Sequence, residues 1–252
     1  MSGHSKWATI RRKKEITDSR RGQLFTKLAR ELTVAAKEGG SSLDSNFRLR
    51  IAAQRARAES MPADNIQRAI ERGAGASEGG SSFEEIMYEG YGPHGAAIIV
   101  QTLTDNRNRT VGEIRSAFTR GGGSLGENGS VIWMFKAQGL LTVDTEGKPA
   151  DEVELAAIDA GADDVREGNE EGLIDVYVPV AELKAAEGAL TAQGLKVISA
   201  ERTMTPTTTV ELGPRETEQV LKMVERLEEL DDVQQVFTNL ELTEAAMASM
   251  EG

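Results

Sequence analysis

The 252-residue sequence predicts an α+β protein of three domains. An N-terminal helical domain precedes two α/β domains, one of them ferredoxin-like and inserted into the other. Three observations lead there. Residues 18–73 repeat apolar side chains every three to four positions, the period of a helix with one buried face. A Gly/Ser-rich stretch, GAGASEGGSS (73–82), then separates these segments from strand-like ones. Finally, residues 139–203 read strand-helix-strand-strand-helix-strand, the ferredoxin-like order, and the strand-helix-strand that follows lacks partners of its own.

The first helix covers 18–38, where Leu24, Leu28, Leu32 and Ala35 recur, Phe25 widens the stripe and Gly39-Gly40 ends it. A second, near 45–60, sets Phe47, Ile51 and Ala58 on one side and Arg48, Arg55 and Arg57 elsewhere. In MPADNIQRAIERG, Pro62 suits a first helical turn, Ile66 and Ile70 face inward, and Gly73 stops the helix. Beyond the linker, FEEIMYEGYGP and AAIIVQTLT are strand-like, joined by a turn at Gly92-Pro93-His94-Gly95. Val111, Ile114 and Phe118 mark a helix over 107–120, followed by a glycine-rich loop and SVIWMF. The ferredoxin-like unit takes strands from 139–143, DDVRE, 173–179 and 195–203, and helices from 150–161 and 180–194.

After Pro206 come TTTVEL, a helix carrying Val220, Leu221, Val224 and Leu227, and the strand VQQVFTNLEL. Pairing this unit with strands from 83–135 sets the expected boundaries. They are 1–78 for a basic arm and three-helix domain, 79–136 plus 204–246 for a discontinuous α/β domain, and 137–203 for the inserted one.

Charge is unevenly distributed. The net charge is −12, yet residues 1–30 hold nine Lys/Arg against two acids, a local +7. The 174 residues after 78 hold 13 bases against 32 acids, a local −19. A polyanion is therefore met by the basic end, with the acidic remainder turned away. The absence of cysteine excludes disulfides and thiolate metal sites and fits a reducing compartment. No apolar run approaches the roughly 18–20 residues of a membrane span. The basic start lacks the apolar segment of a secretory signal, and Ser2 stands where myristoylation needs glycine. The expectation is a soluble cytoplasmic protein with no membrane partner and no small-molecule substrate.

GGGSLG (121–126) matches G-x-G-x-x-G but follows a helix and precedes a strand. That polarity is the reverse of a dinucleotide loop, so it reads as a flexible connection. His4 and His94 stand ninety residues apart without a cysteine, too few for a zinc set, and His94 reads as a turn residue. The acids Asp151, Glu152 and Glu154, and the run Glu228, Glu229, Asp231 and Asp232, read as solvated surface. No nucleophile motif occurs. Hence no catalytic residue, metal or cofactor is expected.

The basic N-terminus is different in kind, because each Lys or Arg that reaches a phosphate displaces a condensed counterion. The candidate nucleic-acid contacts are Lys6, Arg11, Arg12, Lys13, Lys14, Arg20, Arg21, Lys27 and Arg30, with Trp7 placed to stack on a base or anchor the arm. Arg107, Arg109, Arg115 and Arg120, on and around one helix, offer a second and weaker contact at the far end of the linker. The alternative is that they pair with acids such as Glu113 and Glu127.

Six stretches together carry a family resemblance: GHSKWATI, FTKLARELTVAAKEGG, MPADNIQRAI, YEGYGPHGAAIIV, TDNRNRT and FTRGGGSLGENGSVIWMF. They resemble the YebC/PmpR family, closely from Gly3 to about Phe135 and by order of elements to about Leu242. That family includes bacterial proteins described as probable transcriptional regulators and a mitochondrial branch that activates translation of cytochrome oxidase. The resemblance implies the same three-domain plan and a non-enzymatic cytoplasmic protein without a cofactor. Its partner is then promoter DNA, or alternatively messenger RNA, ribosomal RNA and the ribosome. No helix-turn-helix recognition helix or RNP aromatic pair separates the two readings.

Overall fold

The structure is a computed structural model that describes residues 18–75 and 83–251. Most of the linker, 76–82, therefore lies outside the described residues. The described chain falls into two compact units, 136–205 and the remainder.

The larger unit opens with three helices, α1 (Asp18–Gly39), α2 (Phe47–Ala58) and α3 (Ala63–Ala74). Leu28, Leu32, Leu49, Ile66 and Ile70 meet in one core, as their helical spacing requires. Asn46 ties two helix ends together. Its Oδ1 accepts from the Leu49 amide to cap α2, and its Nδ2 donates to the carbonyls of Ala35 and Gly40. Gly73 does not stop α3, which runs one residue further. A Cβ at Gly73 would lie 2.2 Å from the Thr33 carbonyl oxygen, so its role is close approach to α1.

The α/β part of this unit begins with β1 (Glu84–Tyr91), a 3-10 turn at Pro93–Gly95, β2 (Ala97–Thr104), α4 (Arg107–Arg120) and β3 (Ser124–Leu125). The second unit follows as β4 (Phe135–Asp144), α5 (Ala150–Asp159), β5 (Asp164–Glu167), β6 (Leu173–Val178), α6 (Leu183–Ala192) and β7 (Lys196–Pro206). The chain then returns through β8 (Val210–Glu211), α7 (Pro214–Glu228), β9 (Val233–Thr238), β10 (Leu240–Glu241) and α8 (Glu244–Glu251).

The fold is α+β, built on two four-stranded sheets and one two-stranded parallel pair. In the larger unit the strand order is β3-β1-β2-β9, with β9 antiparallel to β2. The returning unit thus supplies one strand to that sheet. TTTVEL does not join it: β8 pairs in parallel with β10 instead. Buried Ile114 and Phe118 of α4, and Val220, Val224 and Leu227 of α7, belong to its core. In the second unit the order is β5-β6-β4-β7, the ferredoxin-like arrangement, with Leu141 opposite Val176.

The GGGSLG stretch is no flexible connection. The amides of Gly121 and Gly123 close the end of α4 on the Phe118 carbonyl, and Ser124–Leu125 pairs with β1. A Cβ on Gly123 would meet the Tyr91 carbonyl at 2.4 Å.

Candidate nucleic-acid interface

Lys6, Trp7, Arg11, Arg12, Lys13 and Lys14 lie outside the described residues. Arg20 and Arg21 fall in the first turn of α1, and Arg21 is exposed. One to three turns later the helix turns its cations inward, onto the acidic run that ends α7. Lys27 Nζ donates to the Glu228 carbonyl at 2.5 Å. Arg30 donates to the Asp231 carbonyl at 2.6 Å and to Asp232 Oδ1 at 2.7 Å.

Asp232 corrects the reading of that run as solvated surface. Its side chain is 2% exposed and accepts from Arg30, from Arg109 at 2.7 Å and from the hydroxyls of Thr104 and Thr110. Burial by itself would raise its pKa. The hydrogen bonds from Arg109 and Thr110, with the charges of Arg30 and Arg109, outweigh burial and hold it below the usual carboxylate range. The two predicted contact sets therefore meet: one arginine from each converges on a single carboxylate. Arg109 also pairs with Asp105 at 2.9 Å, so its acids are Asp105 and Asp232 rather than Glu113 or Glu127. Arg107, Arg115 and Arg120 are exposed and make no ion pair among the described residues.

Among the seven cations of residues 31–78, which the charge count of residues 1–30 does not reach, two share one helix face. Arg68 and Arg72 lie on α3, i and i+4, and are exposed. The signal is present in NIQRAIER, where the arginines fall off the stripe set by Ile66 and Ile70. Both border a groove of about 370 Å³ between α1 and α3. Its apolar surface comes from Phe25, Ala29, Met61 and Phe83. Arg30 lies 5.8 Å above the Phe83 ring. Among the described residues no carboxylate lines the groove. Arg68 donates to the Asp64 carbonyl and the Asn65 side-chain oxygen, both neutral, so its charge is uncompensated among the described residues.

A second organised feature lies beyond β3. Glu89, buried, accepts from the amides of Gly129, Val131 and Ile132 at 2.7–2.8 Å. Burial would raise its pKa, but the three amides prevail and lower it. This brace presents Trp133, 65% exposed, with Nε1 donating to the Ser130 carbonyl. His94 occupies its turn with φ 59° and hydrogen-bonds Gln219. Among the described residues no group of three His, Asp or Glu is placed to hold a metal. No described helix is long and apolar enough to cross a membrane.

Two family descriptions match the chain. The TACO1/YebC protein N-terminal domain covers residues 5–76, and the TACO1/YebC second and third domain covers 83–240. A relative from Herpetosiphon aurantiacus, named a probable transcriptional regulatory protein, is 56% identical over 97% of this chain and 96% of its own. One of the same name from Roseiflexus castenholzii is 52% identical over 96% of each chain. The crystal structure of the conserved hypothetical protein Aq1575 from Aquifex aeolicus superimposes with a TM-score of 0.80 at 42% identity, covering 90% of this chain and 93% of that one.

Proposed function

Because the chain belongs to the TACO1/YebC family, we propose that it is a non-enzymatic cytoplasmic regulator of transcription that binds DNA through its basic N-terminal region. The observation that carries this reading is the +7 charge of residues 1–30 on a protein of net charge −12. That charge adjoins a helical domain whose Arg21, Arg68 and Arg72 stay exposed. The contacts are the cations of the arm together with Arg20 and Arg21. Lys27 and Arg30 hold α1 against the acidic end of α7. Arg107, Arg115 and Arg120 supply a weaker second contact, with Arg109 as their anchor. The relatives named probable transcriptional regulatory proteins support a role at promoters.

A second reading is an RNA- or ribosome-associated translation factor. One observation favours it: the cation-rimmed groove carries aromatic side chains suited to unpaired bases, which folded RNA displays and duplex DNA does not.

The test replaces Arg11, Arg12, Lys13 and Lys14 with Ala. For duplex DNA the slope of log K against log salt should shallow by about 0.9 for each phosphate no longer neutralised. The weakening should be nearly uniform across sequences, because side chains on phosphates do not read bases. An unchanged slope would place the binding surface elsewhere. Ribosome cosedimentation without promoter enrichment in cells would replace the first reading with the second.

A further inference from the structure

We propose that the groove between α1 and α3 is a seat for one unstacked nucleotide of a single-stranded segment, its base against Phe25 and Phe83 and its phosphate on Arg68 and Arg72. This rests on the nucleic-acid reading above and specifies the form of the strand.

Four observations carry it. The volume, about 370 Å³, lies near the lower end of the roughly 300–1,000 Å³ of small-molecule sites, room for one base and its sugar. Its walls are aromatic and aliphatic, and stacking on such rings tolerates any base because every base has a π-face. Its rim is cationic, with no carboxylate among the described residues that line it, which selects an anion. Arg68 and Arg72 stand one turn apart on an exposed helix face, a spacing that lets two guanidinium groups share one phosphate or bridge successive ones.

The groove is also braced by contacts within the protein. Gly73 lets α3 touch α1 at one end, and Thr33 Oγ1 bonds the Ala69 carbonyl across the floor. Arg30 is held on Asp232 while it covers Phe83, so one wall is set before any ligand arrives. Preorganisation of this kind removes an ordering cost from binding. A base in a duplex is stacked on both faces and has none to offer the groove, so the seat discriminates single strands from duplex.

Binding of the full-length protein to a labelled 12-nucleotide oligo-uridine and to a duplex of mixed sequence, read by fluorescence anisotropy, tests this. Arg68→Ala with Arg72→Ala should weaken single-strand binding about tenfold or more and leave duplex binding within twofold. Its salt slope on the single strand should shallow by about 0.7 for each phosphate released. Phe83→Ala, with its fold checked by circular dichroism, should weaken single-strand binding by about tenfold at unchanged salt slope. Equal weakening on single strand and duplex would overturn the seat, leaving only diffuse attraction. So would unchanged single-strand binding in the arginine variant while the Arg11, Arg12, Lys13 and Lys14 variant fails to bind, with the broader reading intact. Displacement by free uridine monophosphate at micromolar concentration would make the groove a small-molecule site instead. Failure of the parent protein to bind any nucleic acid would remove the seat and the broader reading together.

Discussion

Replacing Asp232 with Ala removes the acceptor on which two cations and two hydroxyls converge. Breaking a buried ion pair by deleting one partner costs about 3–5 kcal/mol, because the remaining charge is left desolvated. The structure sets where in that range the variant falls. Arg109 is 41% exposed and keeps Asp105, so it relaxes toward water at little cost. Arg30 is 19% exposed and retains the Asp231 carbonyl and the face of Phe83. Thr110 still has the Asn106 carbonyl, and Thr104 still bonds Thr110. The expected destabilisation is therefore near the lower bound, about 3 kcal/mol.

The two compact units need not unfold together, so a local probe is required. Hydrogen exchange followed by mass spectrometry on peptides from β2, α4 and β9 should show opening easier by that amount, with β6 unaffected. The sign of the pH dependence follows from the lowered pKa of Asp232. Its contribution is complete above the unfolded value of about 4 and is lost as pH falls through the lower folded value. Parent and variant should thus converge in acid. A variant within about 0.5 kcal/mol of the parent at pH 7, the usual scatter of a neutral surface change, would refute the reasoning.

Other outcomes follow from single positions. Gly73→Ala pushes a methyl into the Thr33 carbonyl and should destabilise the helical domain by about 1–3 kcal/mol, read by thermal melting. Asp175 is buried on β6, and burial, with help from Glu201, raises its pKa against the hydrogen bond from Thr142. Its folded state therefore loses stability as pH rises from the unfolded value through the folded one. Asp175→Asn should raise the urea midpoint of the 136–205 unit at pH 7, with the gain disappearing in acid. No gain at pH 7 would place the cost of that carboxylate elsewhere.

Much of this architecture is legible in the sequence because the signals are local. Leu24, Leu28 and Leu32 define the buried face of α1 without knowledge of its partners, and LIDVYVP announces a strand by composition alone. What stays hidden depends on chain segments far apart. Asp232 looks like its acidic neighbours until the fold brings Arg30 to it across 202 positions and Arg109 across 123. Gly73 resembles a helix stop, and only the helix packed against it shows that a side chain has no room there. The C-terminal helix α8 goes unread in the sequence, although Thr243, whose hydroxyl accepts from the Ala246 amide, stands at the N-cap position. Arg68 and Arg72 are hidden differently. Over residues 31–78 bases and acids balance at seven each, so a count by segment erases a patch that one helix face keeps.

Glycine-rich segments that gather backbone amides usually do so around a phosphate brought from outside. Here the segment after α4 gathers three of them around Glu89, an anion that the chain carries with it. A visiting phosphate finds the place taken. Emptying it by Glu89→Gly would convert a brace into a receptor: the loop bearing Trp133 should loosen, and added formate should tighten it again by restoring the missing oxygens. The protein holds the loop bearing Trp133 in place with a captive carboxylate, and the grip should answer to any small carboxylate that fits.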